Sequence, residues 1–184
     1  LDLKEKVEEI IQRNKFMFKQ KQITVDNQIS ESINISADQL RIEELLNNLF
    51  NNSVKYNNEL GSITVDAADK GDEVLVSIHD DGVGMNSEQL SHIFDEFYKA
   101  DESRHDFDSS GLGMPICKSI VEKHGGNIWA ESEGIDKGST FYFTLPKELD
   151  EEPRQPGLHQ NFHQYESSAS ISERVDQLLL EKYH

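Results

Sequence analysis

The chain has 184 residues, which is enough for one domain of ordinary size with an appendage, and 35% of them are apolar, so a hydrophobic core can form. Its 18 Lys and Arg residues are outnumbered by 35 Asp and Glu residues, and the net charge of −17 argues against binding to nucleic acid phosphates. The sequence contains no run of about 18 apolar residues, so we expect no membrane contact by this segment. The one cysteine, Cys117, excludes an internal disulfide and fits a reducing, cytoplasmic compartment.

The N-terminal third predicts a helix, two strands and a second helix. Apolar residues between positions 3 and 20 recur at helical spacing. The stretches "QITVDNQI" and "SINIS" alternate in polarity and predict strands. "SADQ" has the pattern of a capping box that opens at Ser36, so a helix is expected from there to about Tyr56.

The middle of the chain predicts a β-hairpin, a short helix and a long loop. "GSITVDAA" and "EVLVSIHD" flank the turn sequence "DKGD". "NSEQLSHIF" predicts a short helix with Ser87 as its cap. Residues 95–110 are polar and have no period, and loops of this length inside a compact domain tend to be functional or disordered.

One more helix and two strands complete the expected domain. The helix begins within "MPICKSIVEKHGG", with Pro115 in its first turn and Gly125 as its stop. "NIWAES" and "STFYFTLP" predict the last strands. This order of elements predicts an α/β fold: a two-layer sandwich in which a mixed sheet of about five strands carries helices on one face.

The composition changes after the predicted domain, which we place at residues 1–146. Residues 147–170 read as a polar linker, and apolar residues at helical spacing in 171–184 indicate an amphipathic C-terminal helix. Such a helix would dock on the domain, pair with another copy or bind a partner. The plainer alternative is a marginal helix at a frayed terminus.

An unusual cluster of asparagines lies in the second long helix, in "NNLFNNSVKYN". On a helical wheel Asn48, Asn52 and Lys55 form one column on the polar side. An amide oxygen suits Mg²⁺, and an ammonium group suits phosphate oxygens. Two interpretations are open at this point, a ligand-binding face and a solvated face of an Asn-rich helix.

Two glycine-rich stretches follow predicted elements in places that suit a ligand. In "DDGVGM", Asp80 ends a strand and can accept a hydrogen bond from an exocyclic amine, Gly82 and Gly84 let the backbone approach a planar ligand, and Met85 offers an apolar wall. A plain Asp-Gly turn accounts for the same letters. "SSGLGMPI" runs straight into a helix whose first N–H groups suit phosphate, or it is an ordinary flexible loop.

Five segments taken together resemble the catalytic, ATP-binding domain of sensor histidine kinases, which belongs to the GHKL superfamily. In order, "LLNNLFNNSVKY", "HDDGVGM", "IFDEFYKAD", "SSGLGMPICKSIVEKHGGNIWAES" and "GSTFYFTLP" are similar to its N, G1, F, G2 and terminal G boxes. The resemblance covers roughly residues 3 to 146. It implies the Bergerat-type ATP-binding fold, with ATP and Mg²⁺ as cofactors.

The resemblance also implies roles for matching residues. Asn52 would bind Mg²⁺, with Asn48 and Lys55 beside the triphosphate. Asp80 would accept from the adenine amino group, with Tyr56 packed on the base. The nucleotide-binding residues that the resemblance implies are Asn48, Asn52, Lys55, Tyr56, Asp80, Gly82, Gly84, Met85, Lys99, Arg104, Gly111, Leu112, Gly113, Met114 and Thr140.

The loop of residues 95–110 would be the ATP lid, hinged on Phe94 and Phe97, with Lys99 and Arg104 reaching phosphates. Cationic residues in mobile loops are also common without any function. Thr140 would lie behind the adenine, although a strand hydroxyl is equally common without a ligand. The chain departs from the family at Ser109, where Gly is usual, and at Met114-Pro115, where Leu-Ala is usual. A Cβ at position 109 would stiffen the hinge of the lid.

The implied chemistry is phosphoryl transfer to a protein. Related hydrolytic ATPases of the superfamily carry a Glu base one turn before the Mg²⁺ asparagine, and this chain has Asn48 there, whose amide takes no proton at neutral pH. Catalysis would then consist mostly of positioning and charge neutralisation, with Lys55 supporting.

No histidine of this chain fits the family's phosphoacceptor. His79 and His105 precede an Asp, but one ends a strand and the other lies in the lid. We therefore expect this chain to be the catalytic domain of a longer kinase. The helical dimerisation and phosphoacceptor domain of that kinase would precede Leu1, any membrane anchor would lie elsewhere in it, and its response regulator would be reached indirectly. Alone it would bind nucleotide without labelling itself. The alternative is a nucleotide-binding regulatory module that transfers no phosphate.

Overall fold

The computed structural model describes residues 1–98 and 111–147. Lys99, Arg104, most of the predicted lid, the predicted linker after Lys147 and the predicted C-terminal helix lie outside the described residues. The helices are α1 (Leu3–Arg13), α2 (Lys15–Gln20), α3 (Gln39–Lys55), α4 (Ser87–His92) and α5 (Gly113–Lys123). The strands are β1 (Thr24–Asn27), β2 (Ser62–Asp69), β3 (Glu73–Asp80), β4 (Ile128–Glu131) and β5 (Ser139–Pro146).

The five strands form one mixed sheet in the order β1-β2-β3-β5-β4. β1 runs parallel to β2, and the other neighbouring pairs are antiparallel. The predicted hairpin is β2 and β3, which pair from Asp69 with Val74 to Ile63 with Asp80. The predicted mixed sheet of about five strands is confirmed.

One face of the sheet carries the helices. Every second residue of the long strands points into a core shared with α1, α3 and α5, because side chains alternate between the two faces of a strand. These inward residues are Ile63, Val65, Val74, Val76, Ile78, Phe141, Phe143 and Leu145. On the other face, the Trp129 and Tyr142 rings stack with centroids 5.2 Å apart. The predicted two-layer α/β sandwich is confirmed.

Two predicted elements at the N-terminus were wrong in extent. The single helix of residues 3–20 is broken at Asn14, whose side-chain amide donates to the Ile10 carbonyl at 3.0 Å and to Asn47 Oδ1 at 2.8 Å. A side chain that binds the backbone in this way competes with the helix. "SINIS" forms no strand, and its contacts are isolated bridges from Asn34 to Asp2 and from Ile35 to Lys147.

The predicted helix caps are each displaced along the chain. α3 is capped by Asp38 and not by Ser36, since the Asp38 carboxylate accepts from the Leu40 and Arg41 N–H groups at 2.9 and 3.2 Å. α4 is capped by Asn86 in a capping box, and not by Ser87. An N-cap oxygen must reach the N–H two or three residues ahead, so the position where the helix begins decides which polar residue caps it.

The start and stop of α5 agree with the sequence. Pro115 lies in its first turn, where a proline loses no helical hydrogen bond. Gly125 follows its end with φ of +80°, in the left-handed region that favours glycine. Within residues 1–98 and 111–147, no helix combines the length and the apolar character needed to cross a bilayer.

Candidate functional site

A cavity of about 220 Å³ lies where the end of α3, the end of β3 and the start of β5 meet. It is partly open to solvent and mostly apolar, with a carboxylate and an amide among its walls. Five residues singled out from the sequence line it: Asn52, Tyr56, Asp80, Gly84 and Met85. The other lining residues are Val83, Gln89, Ile93, Ile135, Ser139 and Phe141.

Asp80 supplies the buried carboxylate of this cavity. It is the last residue of β3, at an inward position, and only 3% of its surface is exposed. Burial raises the pKa of Asp80 to about 6, although the Gly82 N–H group, which donates to Oδ1 at 3.1 Å, acts in the opposite direction. The cavity therefore holds an acceptor that is poorly solvated and open to a donor from a ligand.

Asp81, the second acid of the pair, has a different task. Its side chain is exposed and accepts from the backbone N–H of Ser62 at 2.6 Å and from the Ser62 hydroxyl at 2.9 Å. It thus ties the loop after β3 to the beginning of β2. The two neighbouring carboxylates point to opposite sides, and only Asp80 enters the cavity.

Helix α3 contributes the polar side of the cavity through Asn52 and Tyr56, which lie one turn apart. The Asn52 side chain makes no hydrogen bond to any residue in the described ranges, so its amide oxygen is available to a ligand. The Lys55 ammonium lies 5.3 Å from the centroid of the Tyr56 ring. Lys55 is adjacent to the cavity but is not part of its wall.

Asn48 lies farther along the same face, against the start of α5. Its Oδ1 is 3.9 Å from the position that a Cβ on Gly113 would occupy, and one turn along α5 the Cys117 thiol donates to the Leu45 carbonyl at 3.8 Å. Burial raises the pKa of that thiol to about 12, so Cys117 stays protonated and is no nucleophile. Asn48 and α5 thus form a second wall beyond the cavity, at the end nearer Asn52.

The glycines of "DDGVGM" are required by close approach of the protein's own backbone, a reason that the sequence did not reveal. A Cβ on Gly82 would lie 2.3 Å from the Tyr56 carbonyl oxygen. Gly84 has φ of +64°, and a Cβ there would lie 2.1 Å from the Gly134 carbonyl oxygen. These contacts hold the loop after β3 against α3 and against the loop between β4 and β5.

Ser132 fixes the same loop from the other side, and sequence reasoning missed it. Its hydroxyl accepts from the Met85 N–H at 3.0 Å and donates to the Gly138 carbonyl at 2.6 Å. It therefore joins the loop carrying Gly84 and Met85 to the loop before β5. A serine in "AESEG" carries no sequence signal of this role.

Thr140 does not lie at the cavity, which corrects its expected position. It pairs with His79 on the face of the sheet away from the helices, and its hydroxyl is 2.9 Å from His79 Nδ1. The hydroxyl in the cavity belongs to its neighbour Ser139, which is 7% exposed. Side chains alternate along a strand, and the inward Phe141 fixes the parity, so the pattern of "STFYFTLP" already contained this answer.

The first residues of α5 occupy the expected place at a helix N-terminus but do not line the cavity. Leu112 is the N-cap, and Gly113 and Met114 lie in the first turn. Gly111 precedes them with φ of +69° and accepts a hydrogen bond from the Phe97 N–H at 3.1 Å. The two ends of the predicted lid are therefore joined directly to each other.

Apart from Gln89 and Ser139, the other walls that the sequence did not indicate are apolar. Phe141 packs edge to face on Phe94, with ring centroids 6.4 Å apart. Ile93 and Gln89 come from α4 and its end, and Ile135 comes from the loop before β5. Ile135 is 55% exposed, so this apolar side chain stands at the mouth of the cavity.

Comparison with known proteins places this arrangement in a family. Residues 37–149 match the family described as histidine kinase-, DNA gyrase B- and HSP90-like ATPases. The sensor histidine kinase WalK of Bacillus subtilis is 37% identical over 122 residues, which cover 64% of this chain and 20% of WalK. The methanogenesis regulatory histidine kinase FilI of Methanothrix harundinacea is 40% identical over 114 residues, which cover 61% of this chain and 12% of FilI. The chain thus spans a fifth or less of the length of these relatives.

Solved structures agree over most of the chain. The catalytic domain of the histidine kinase ThkA superposes with a TM-score of 0.71 at 28% identity, covering 80% of this chain and 93% of that domain. Full-length ShkA, whose structure was solved in complex with AMPPNP, gives a TM-score of 0.71 at 25% identity and covers 82% of this chain and 31% of ShkA. The chain belongs to the family of histidine kinase-, DNA gyrase B- and HSP90-like ATPases, and it is an ATP-binding catalytic domain of the histidine kinase type.

Proposed function

We propose that this domain binds Mg-ATP in the cavity around Asp80 and presents the γ-phosphate to a histidine on a helical dimerisation domain that is not part of this chain. The observation that carries the proposal is the convergence of a buried carboxylate, Asp80, and a side-chain amide, Asn52, that has no hydrogen bond to the described residues, on one largely apolar cavity. Such a cavity with a few convergent polar groups suits a planar base with a polar tail.

The base end of the ligand fits the Asp80 end of the cavity. A carboxylate that is nearly excluded from water accepts strongly from an exocyclic amine, and Ser139 adds a hydroxyl beside it. Met85, Ile93 and Phe141 give the apolar surface against which a purine packs. The phosphates would then extend past Asn52 toward Lys55, Asn48 and the beginning of α5.

The residues present also suit magnesium. No group of three or more His, Cys, Asp or Glu side chains in the described part of the chain is arranged to hold a metal. Magnesium in nucleotide sites needs no such cage, because it keeps waters and binds one or two protein oxygens together with the phosphates. Asn52 would supply that oxygen, and the bound ion would neutralise charge on the phosphates.

The site offers no base for water one turn before Asn52, where Asn48 stands. Its amide takes no proton at neutral pH. We therefore expect transfer to a protein acceptor to exceed hydrolysis. The roles of Lys99 and Arg104 at the phosphates, of residues 147–170 as a linker and of 171–184 as a helix remain proposals, as do the response regulator and a cytoplasmic location.

Calorimetry with ADP, with and without Mg²⁺, tests the assignment of the two ends. We expect Asp80→Asn to lose most of the affinity for ADP, both with and without Mg²⁺. We expect Asn52→Ala to lose mainly the additional affinity for ADP that Mg²⁺ provides. Asn51→Ala is the matched control, since Asn51 is the neighbouring asparagine and is exposed away from the cavity. Undiminished ADP binding in both site variants would refute the assignment of Asp80 to the base and of Asn52 to the magnesium ion.

A transfer assay tests the activity itself. The 184-residue chain is mixed with radiolabelled ATP, Mg²⁺ and the phosphoacceptor domain of its own kinase or of a close relative. We expect label on the acceptor domain and none on this chain alone. Tight Mg-ADP binding with no label on any acceptor would favour the regulatory module instead.

A further inference from the structure

Lys21 lies outside the cavity, between α2 and β1, and its ammonium group reaches the end of α3. It donates to the carbonyl oxygens of Val54, Lys55 and Asn57 at 2.8, 2.9 and 3.3 Å. The last carbonyls of a helix have no partner within the helix, and an ammonium group carries three protons. Lys21 therefore caps α3 with charge-assisted hydrogen bonds, at the end of the helix where a positive charge is favourable.

The remaining carbonyl of this run belongs to Tyr56, and it accepts from the Val83 N–H at 2.9 Å. The carbonyls of residues 54–57 are thus held by Lys21 and by Val83 together. Val83 belongs to the loop that carries Asp80 at its start and Gly84 beyond it. The end of α3 is therefore the junction between the half of the site built on a helix and the half built on a loop.

We infer that Lys21 is a positioning residue for the magnesium nucleotide, an inference that rests on the proposed function. By holding the last turn of α3, it fixes the distance from Asn52 and Lys55 to Asp80. A ligand that spans both ends of the site needs that distance, whereas a ligand that contacts only the Asp80 end does not. Lys21 lines no part of the cavity, and its ammonium group meets the site through the carbonyls at the end of α3.

Loss of Lys21 has a defined order of consequences. The carbonyls of Lys55 and Asn57 lose the Lys21 ammonium. The Val54 carbonyl keeps the Asn57 N–H at 3.4 Å. The last turn of α3 then frays from its end. The Tyr56 carbonyl keeps the Val83 N–H as its donor, so Tyr56 stays against the loop after β3. Lys55 and the turn that begins at Asn52 are displaced instead. Nothing in the sequence distinguishes Lys21 from the nearby Lys15 and Lys19, since all three lie in one charged stretch.

The test compares three variants of the 184-residue chain by calorimetry with adenosine, with ADP in EDTA and with Mg-ADP. Lys21→Met keeps the aliphatic stem and removes the charge and its protons. Lys21→Arg restores both in a different shape. Lys19→Met is the control, an exposed lysine two residues away. Circular dichroism at the titration temperature shows that each variant is folded.

For Lys21→Met we expect Mg-ADP affinity to fall by about 10- to 100-fold, the usual effect of removing a group that orients a ligating residue. Adenosine affinity stays close to that of the parent, Lys21→Arg recovers part of the loss, and Lys19→Met changes neither ligand. Should Lys21→Met not fold, Lys21→Gln keeps N–H donors without the charge and is titrated in the same way.

Three results would overturn the inference. A folded Lys21→Met that binds Mg-ADP like the parent shows that the cap has no bearing on the site. Equal losses for adenosine and Mg-ADP show general disturbance of the cavity and no effect on the spacing of its ends. Absence of Mg-ADP binding by the unmodified chain would refute the proposed function. This outcome is distinguishable from the first two, because it is measured without any variant.

Discussion

The buried carboxylate of Asp80 is expected to lower the stability of the nucleotide-free domain and to raise its affinity for nucleotide. The substitution Asp80→Asn separates these two effects. Burial raises the pKa of Asp80 from the ordinary 3.8 to about 6. Between pH 3.8 and about pH 6, the folded state keeps a proton on Asp80 that the unfolded state has released. The free energy of unfolding therefore falls as the pH rises through this range. Above pH 6 the buried carboxylate lowers the free energy of unfolding by its full amount. This amount is about 3 kcal/mol, because each unit of pKa corresponds to about 1.36 kcal/mol.

Asparagine has nearly the shape of aspartate and cannot ionise, and its carbonyl oxygen can still accept from the Gly82 N–H. We therefore expect Asp80→Asn to stabilise the nucleotide-free domain at pH 8 by about 1–3 kcal/mol. For a domain of this size that is a rise in Tm of about 2–12 °C. At pH 5 the folded carboxyl is already mostly protonated, so the gain falls to about half of its value at pH 8.

The same substitution removes a charged acceptor from the ligand. Hydrogen bonds to charged groups contribute about 1.5–3 kcal/mol, so ADP affinity is expected to fall by about 10- to 150-fold. Thermal unfolding at pH 5 and pH 8, with and without ADP, measures both effects on one sample. ADP should raise the Tm of the parent strongly and that of Asp80→Asn little.

Asp81→Asn provides the matched control. Its carboxylate is exposed and bonds to Ser62, outside the cavity. We expect no stabilisation from this change and little loss of ADP affinity. The reasoning is refuted when Asp80→Asn leaves the Tm at pH 8 unchanged or lowers it, or when Asp81→Asn shows the same gain.

Two further pairs of changes test the site, and one single change tests the core beside it. In urea unfolding, Gly84→Ala should destabilise the domain by about 2–5 kcal/mol, because the new Cβ adds a clash to a left-handed backbone. Gly71→Ala, at φ of +91°, meets no atom within 4 Å and should cost only about 1–2 kcal/mol. Equal losses of stability in the two variants would contradict the clash. In calorimetry, Ser139→Ala should weaken ADP binding about 2- to 12-fold, and Thr140→Ala should leave it unchanged. The reverse result would place Thr140, as the family resemblance implies, at the nucleotide. Ser53→Ala should raise the free energy of unfolding by about 1–3 kcal/mol, because the Ser53 hydroxyl is fully buried and has no hydrogen-bond partner in the part of the chain that is described; a loss of stability would show that the hydroxyl has one.

Local signals in the sequence determined the elements and their type. Alternation in "EVLVSIHD" and "STFYFTLP" gave the central strands, and Pro115 and Gly125 bounded α5. These signals are local because a strand's period and a helix's end depend on residues a few positions apart. The ordered motifs added the family, which the comparisons bear out.

Tertiary structure decided which of two neighbouring residues faces the site. Asp80 enters the cavity and Asp81 binds Ser62, although the two are the same letter. Among four clustered asparagines, Asn47 bonds to Asn14 while Asn52 lines the cavity.

Other features depend on segments that meet only in the folded chain. The need for glycine at position 84 comes from the Gly134 carbonyl, fifty residues later in the sequence, and the cap of α3 comes from Lys21, more than thirty residues earlier. No period or motif within one segment encodes a distance to another segment. The sequence alone therefore determined the fold class, the family and the chemical types in the site, whereas only the packing of α3, the sheet and the loops decided which atoms converge.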